Sequence, residues 1–301
     1  MAPTLTSVLM LYSILVPQKV WFSPGQPLNV TDDSKSAIKL VLTDFKGTVI
    51  ASSTDNVAAG KTVDLLKIFP ALSQPATYVL YAADPAAATA PPAKFIGTPL
   101  VIEARPSNAG DGYSGVMVTK IEPLDYVKMK TEDGTIEAIF YYDSAPNTVD
   151  NFLTLSAGGY YDGLVFHRIV PDFVIQGGDP LGTNAGHAGT GGPGYHIEAE
   201  FNDRPHEAGV LSMARSSDVN SAGSQFFICL NYANTQSLDH KYTAFGCVIS
   251  GMDVVKKIAA APTDPQSQRP DKPPVIENIQ VVPVTVDRDP YADLFAGAAA
   301  K

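Results

Sequence analysis

From residue 38 the chain reads Ile-Lys-Leu-Val-Leu-Thr-Asp, with Ile38, Leu40 and Leu42 alternating against Lys39, Val41 and Thr43, and Asp44 to Gly47 supply a turn into a return strand. A period of two is the mark of a pleated strand with one face toward a core, so this stretch predicts a hairpin. TYVLYA at 77–82 and PLVIEA at 99–104 repeat the pattern, with Pro, Gly, Asn and Asp between the runs. Residues 1–104 thus predict about seven short strands and little helix, the size and texture of an immunoglobulin-like β-sandwich. Residues 8–16 (VLMLYSILV) have the apolar density of a signal-peptide core. No Lys or Arg precedes them and no small-residue cleavage site follows, which favours a buried first strand.

The texture changes after residue 104. Arg105 to Gly115 (RPSNAGDGYSG) offers little to bury, so 105–122 is expected to be an exposed linker. Strands at 125–130 and 135–142 flank an Asp133-Gly134 hairpin turn. A helix follows: Ser144 can cap it, Pro146 suits its first turn, Val149, Phe152 and Leu153 share a face, and Gly158 and Gly159 end it. Val254, Val255 and Ile258 predict a second helix near 252–260. Two helices among many antiparallel strands suggest a closed barrel over 123–284, and 285–301 reads as a loose tail.

Composition narrows the function. A net charge of −10 and a pI near 4.9, with no Lys/Arg cluster, argue against a nucleic-acid partner. No apolar run reaches the eighteen or so residues of a membrane-spanning helix. The two cysteines, Cys229 and Cys247, sit in apolar runs as expected of buried thiols. If those runs are neighbouring strands, a disulfide is open to them. The histidines fit no metal-binding spacing, so no metal or other cofactor is expected. The run GTGGPG at 189–194 lacks the Lys-Ser/Thr of a phosphate-binding loop.

Three blocks carry a stronger signal. Phe166-His167-Arg168-Ile169-Val170-Pro171 runs on to Phe173-Val174-Ile175-Gln176-Gly177-Gly178-Asp179. Gly209 to Ala214 (GVLSMA) is followed by Gly223 to Ile228 (GSQFFI), and then come Leu238-Asp239, Tyr242 and Phe245-Gly246. In this order they resemble the cyclophilin family of peptidyl-prolyl cis/trans isomerases. The resemblance implies an eight-stranded antiparallel β-barrel capped by two helices, with proline-containing peptides and unfolded proteins as substrates.

The reaction explains these residue types. An X-Pro amide resists rotation by about 18 to 20 kcal/mol, and no bond need break. The catalyst has only to bind the twisted amide better than either planar form. Twisting localises the nitrogen lone pair, to which a fixed guanidinium can donate; Arg168 is the candidate donor, and Gln176, eight residues on, is a candidate to hold either that guanidinium or the substrate carbonyl. Phe173, Val174, Phe227 and Leu238 are the right types for a proline pocket, and by resemblance they are the family's pocket positions. The resemblance also implies that Ala214, Arg215 and Gln225 grip the substrate backbone, with Tyr242 beside them.

Three departures bear on binding preference. Arg215, in a loop resembling bacterial cyclophilins, stands where many eukaryotic relatives carry Asn, Tyr242 where they carry His, and Ser237 where they carry Trp. Family members with that Trp bind cyclosporin tightly through the indole, so weak cyclosporin binding is expected here. A lone Arg is by default a solvated charge and a lone Phe a core residue; only the blocks reverse those defaults. His167, one position before Arg168, would point to the opposite face, for packing or a structural hydrogen bond. The rival reading is a non-catalytic module that only holds proline peptides. The lack of an export signal favours the cytoplasm, with periplasm or cell envelope left open.

Overall fold

The alternating runs fold as antiparallel strands. In the computed structural model, which describes residues 14–86, 95–106 and 117–292, the chain opens with β1 (Leu15–Pro17), β2 (Trp21–Phe22), β3 (Asn29–Asp32), β4 (Lys39–Asp44), β5 (Val49–Ser52) and β6 (Thr62–Asp64). A short helix α1 (Leu65–Ile68), capped by the Asp64 carboxylate, leads to β7 (Ala76–Ala83), β8 (Phe95–Pro106) and β9 (Met117–Pro123). Six of these strands form one sheet in the order β2-β9-β8-β7-β4-β5, and β1-β3-β6 form a second. Leu15 and Val30 from the smaller sheet join Leu40, Leu42, Leu80 and Ile102 from the larger in one buried cluster. The alternation is therefore real. The six-against-three division differs from the four-against-three grouping of an immunoglobulin-like domain. Of the first strand expected at 8–16, residues 8–13 lie outside the described part.

Two boundaries also differ from expectation. Of the expected linker 105–122, residues 117–122 belong to β9, which pairs along β8 with Glu103 opposite Lys120 and Val101 opposite Glu122; 107–116 lie outside the described residues. The reason is electrostatic pairing: Arg105 bonds Glu103, and Lys120 lies 2.7 Å from Glu122, so charges that read as solvated are carried inside a sheet. Of the expected loose tail, 285–292 is ordered structure. Tyr291 is fully buried, donates to the Asp125 carbonyl at 2.7 Å and meets Phe45 edge to face at 6.0 Å, while Val284 N–H donates to the Leu124 carbonyl. The described residues accordingly form two units, 14–125 with 283–292, and Tyr126–Val282.

The second unit comprises, apart from the two end residues Asp125 and Pro283, β10 (Asp125–Thr131), β11 (Gly134–Phe140), α2 (Pro146–Ala157), β12 (Arg168–Val170), β13 (Val174–Gly177), β14 (Val210–Met213), β15 (Phe226–Cys229), α3 (Tyr232–Thr235), β16 (Ala244–Ser250), α4 (Met252–Ala259) and β17 (Ile276–Pro283). Its eight strands run in the order β12-β13-β15-β14-β16-β11-β10-β17. Residues just before β12 bond to the start of β17, with Gly163 N–H donating to Ile276 O at 2.8 Å and Phe166 N–H to Pro274 O at 2.9 Å. The sheet thus curls back on itself. Its interior is aromatic: Phe152 of α2 lies within 5.1 to 5.7 Å of the Phe140, Tyr161, Phe226 and Phe245 rings. These spacings suit tilted and edge-to-face ring packing.

The two expected helices are α2 and α4, but α2 is capped differently. Ala145 holds the cap position, and Ser144 gives its hydroxyl to Asp143 instead. The Glu200 carboxylate, 52 residues away from Thr148, accepts from the N–H groups of Asn147 and Thr148 and from the Thr148 hydroxyl. A carboxylate there satisfies orphan donors and complements the helix dipole. Cys229 and Cys247 are free; β14 separates the strands that carry them. Among the described residues no helix is long and apolar enough to cross a membrane.

Candidate active site

Strand register assembles the site. Arg168 on β12 is opposite Gln176 on β13, Gln176 is opposite Phe227 on β15, and Phe227 is opposite Ser212 on β14. Cross-strand partners share a face, so this one row carries a donor, an amide and a phenyl ring side by side. Its neighbours Ile169, Ile175 and Ile228 alternate to the other face and are buried. The turn after β13 depends on Gly178, at φ +82°, where a Cβ would collide with the Ser224 carbonyl.

The polar half of the row is a chain of hydrogen bonds. Arg168 Nη1 donates to Gln176 Oε1 at 3.2 Å and Arg168 Nε to Gln268 Oε1 at 2.8 Å. Gln176 Nε2 donates to Gln225 Oε1 at 3.0 Å, and Gln225 Nε2 to the Gly191 carbonyl at 2.9 Å. Among the described residues, Arg168 Nη2 makes no hydrogen bond. Burial lowers the Arg168 pKa, which the nearby Tyr242 opposes, and a guanidinium keeps its charge through such a shift.

The apolar half lies against that chain. Phe173, Val174, Phe227, Leu238, Ala214 and Tyr242 belong to one cluster with Val170, Val210 and Ala244. Tyr242 meets Phe227 edge-on at 5.8 Å. On another side Phe227 stacks with His206, ring centroids 6.2 Å apart and planes 21° from parallel. His206 is held at Nδ1 by Asp239 (2.9 Å) and at Nε2 by Ser212 (3.0 Å). Burial lowers the His206 pKa, and its bond to Asp239 opposes this. The Ser-His-Asp connectivity has no nucleophilic use here, because Ser212 is wholly buried; it anchors the ring beneath Phe227.

All ten residues singled out in the sequence lie on one unit. The Ala214 N–H is already committed, donating to the Gln225 carbonyl at 2.9 Å, which leaves the Ala214 carbonyl as its backbone group for any further bond. The Arg215 guanidinium stacks 4.6 Å from the Tyr242 ring and donates to the Lys241 and Ser216 carbonyls. His167 is buried as expected, and burial lowers its pKa against the pull of Asp179.

A cavity of about 530 Å³ adjoins the row at Gln176 and is lined also by Ala214, Arg215, Gln225 and 189–196. The glycine-rich loop therefore forms part of the site, which its sequence did not announce. Gln268 was also unforeseen, lying 100 residues from Arg168 in a Pro/Ser/Gln stretch without periodicity.

Residues 126–281 match the sequence profile of the family described as cyclophilin type peptidyl-prolyl cis-trans isomerase/CLD. The chain belongs to the cyclophilin family. The matched span coincides within a residue with the second unit, Tyr126–Val282, which is thus the cyclophilin domain. A peptidyl-prolyl cis-trans isomerase of Synechococcus elongatus is 53% identical over 118 residues, covering 39% of this chain and 76% of that protein. One from Schizosaccharomyces pombe is 47% identical over 149 residues, covering 49% of this chain and 92% of that protein. A Cryptosporidium parvum cyclophilin-type isomerase, crystallised in the presence of the dipeptide Ala-Pro, is 33% identical with a TM-score of 0.48, covering 52% of this chain and 98% of that one. In this cyclophilin domain, donor, amide chain and apolar cluster are the groups available for chemistry.

Proposed function

We propose that the cyclophilin domain accelerates X-Pro isomerisation in flexible or unfolded protein segments by gripping the proline ring in the Phe173–Phe227–Leu238 cluster and donating from Arg168 to the twisted amide nitrogen. The observation that carries this reading is the row itself, a half-buried guanidinium fixed by Gln176 beside the Phe227 ring. The apolar cluster binds the proline in either planar form and sets affinity. Arg168 gains a good acceptor only when the amide twists, which makes its contribution selective for the transition state. Each tenfold in rate needs only about 1.4 kcal/mol of such selectivity, within reach of one charge-assisted hydrogen bond.

The test is a protease-coupled assay on a prolyl tetrapeptide. Arg168→Ala should lower kcat/KM by at least about tenfold while the thermal melt stays in place, since the side chain is half-exposed. Unchanged activity in a folded variant would remove Arg168 from the mechanism. Wild-type activity at background level, with proline peptides still bound, would favour the holding module instead.

Cyclosporin sensitivity follows from Ser237, which is exposed in the turn Gln236–Leu238 and offers neither indole area nor N–H donor. Weak inhibition of the wild type is expected, and Ser237→Trp should strengthen it by about tenfold. Nanomolar inhibition of the unaltered chain would contradict this.

A further inference from the structure

Gln268 combines two features that separately invite explanation. Its backbone sits at φ +58°, in the left-handed region, where a residue other than Gly, Asn, Asp or His is unusual. Its side chain reaches Arg168, with Oε1 accepting from Nε at 2.8 Å, closer than the 3.2 Å bond from Nη1 to Gln176. Backbone strain that persists needs surroundings that enforce it, and it gathers at functional sites. The other described non-glycine residues at positive φ are Asp172, just before Phe173, and His240, between Leu238 and Tyr242. All three adjoin residues of the site.

The enforcing structure is a turn built for Gln268. Asp264 Oδ1 accepts from Gln266 N–H, Ser267 N–H and the Ser267 hydroxyl, and Asp264 N–H donates to the Arg269 carbonyl at 2.9 Å. Gln268 N–H donates to the Asp264 carbonyl, and Gln268 O accepts from Ile169 N–H, both at 2.8 Å. Arg269 then ties the turn to the segment after β13 through the carbonyls of Gly182 (2.7 Å) and Thr183 (3.0 Å). With N–H and C=O both committed, the backbone is held in this conformation, and the side chain is delivered to the Nε edge of Arg168.

An arginine held at one nitrogen still swings about that bond, whereas acceptors on two different nitrogens fix the guanidinium plane. Gln176 takes Nη1 and Gln268 takes Nε, which directs Nη2 outward from both. The geometry points to Gln268 as a positioning residue that pre-sets the Arg168 plane for the twisted amide. This rests on Arg168 being the donor.

The experiment compares Gln268→Gly, Gln268→Ala and Gln268→Glu in the full chain, measuring kcat and KM on a prolyl tetrapeptide, the melting temperature, and the Arg168 Nε–H resonance, assigned by its loss in Arg168→Lys. Gly removes the acceptor and also relieves the left-handed backbone, so kcat should fall about tenfold at unchanged KM while the melting temperature rises. Ala should lose the same activity without that gain, and Glu, which keeps an acceptor at similar reach, should restore kcat to within about threefold. In the Gly and Ala variants the Nε–H signal should shift and exchange faster. Wild-type kcat in both, or a kcat loss that merely follows a lower melting temperature in the Gly variant, overturns the assignment. Retained activity in Arg168→Ala would strike the donor reading instead, and the Nε–H signal would still report whether Gln268 holds the guanidinium.

Discussion

The two units bury polar groups in opposite styles. In the first, the six-stranded sheet carries charged side chains inside: Glu103 and Lys120 are 1% and 2% exposed, with Arg105 and Glu122 as close partners. In the second, Arg168, Gln176 and Gln225 stay half-buried, linked into a hydrogen-bonded chain beside a cavity. Ion pairs with one partner buried this far return little beyond their desolvation cost. Half-buried donors held by neutral amides keep their charge and retain bonding capacity for a ligand. The groups with such capacity lie in the second unit.

The largest test of that division is Tyr291→Ala. It removes a fully buried ring packed on Phe45 and the bond to the Asp125 carbonyl, within the first unit alone. A loss of about 3 to 5 kcal/mol is expected, as for other buried aromatic truncations. The chain has one tryptophan, Trp21 in β2, so its fluorescence reports the first unit while tetrapeptide isomerisation reports the second. The fluorescence melt should move down by many degrees and kcat/KM at 25 °C should hold. Parallel loss of both would mean that the units do not stand on separate cores.

How much of this was readable in advance follows the same line. Arg168, Gln176 and Phe227 were legible because they sit in dense motif blocks, and alternation along short strands put them on one face. β4, β7 and β8 were legible from their period of two. β9 was not, because Lys120 and Glu122 look like surface charges until β8 supplies Glu103 and Arg105 alongside. Tyr291 is one aromatic in a charged stretch, and only the fold reveals that Asp125 waits for its hydroxyl. Glu200 capping α2 and Gln268 holding Arg168 act across 52 and 100 residues, distances at which pattern carries no signal. Local periodicity and motifs are short-range information; caps, buried pairs and anchors are tertiary.

The finer test is pH, for which the two styles predict slopes of opposite sign. Burial, with Glu122 adding to it and Lys120 opposing, raises the Asp125 pKa well above its ordinary value in the first unit. A carboxyl raised on folding favours the native state most fully below its unfolded pKa of about 4, and that contribution is lost as pH rises through the folded value. In the second unit burial lowers the pKa of His167 and His206. A base lowered on folding keeps its contribution above the unfolded value of about 6.5 and loses it as pH falls toward the folded one. Asp239 and Asp264, whose pKa values are lowered in this unit mainly by hydrogen bonds to their carboxylates, add losses of the same sign at lower pH. Between about pH 6.5 and 4, acidification should therefore raise the Trp21 fluorescence melt and lower the temperature at which isomerase activity is lost. Asp125→Asn, which cannot ionise, should flatten the first slope and raise the first unit's melt at pH 7, the gain vanishing below about pH 4 while the activity-loss profile stays unchanged. Two slopes of the same sign, or an Asn variant no more stable at pH 7, would show that Asp125 is not the group that sets the first unit's pH response.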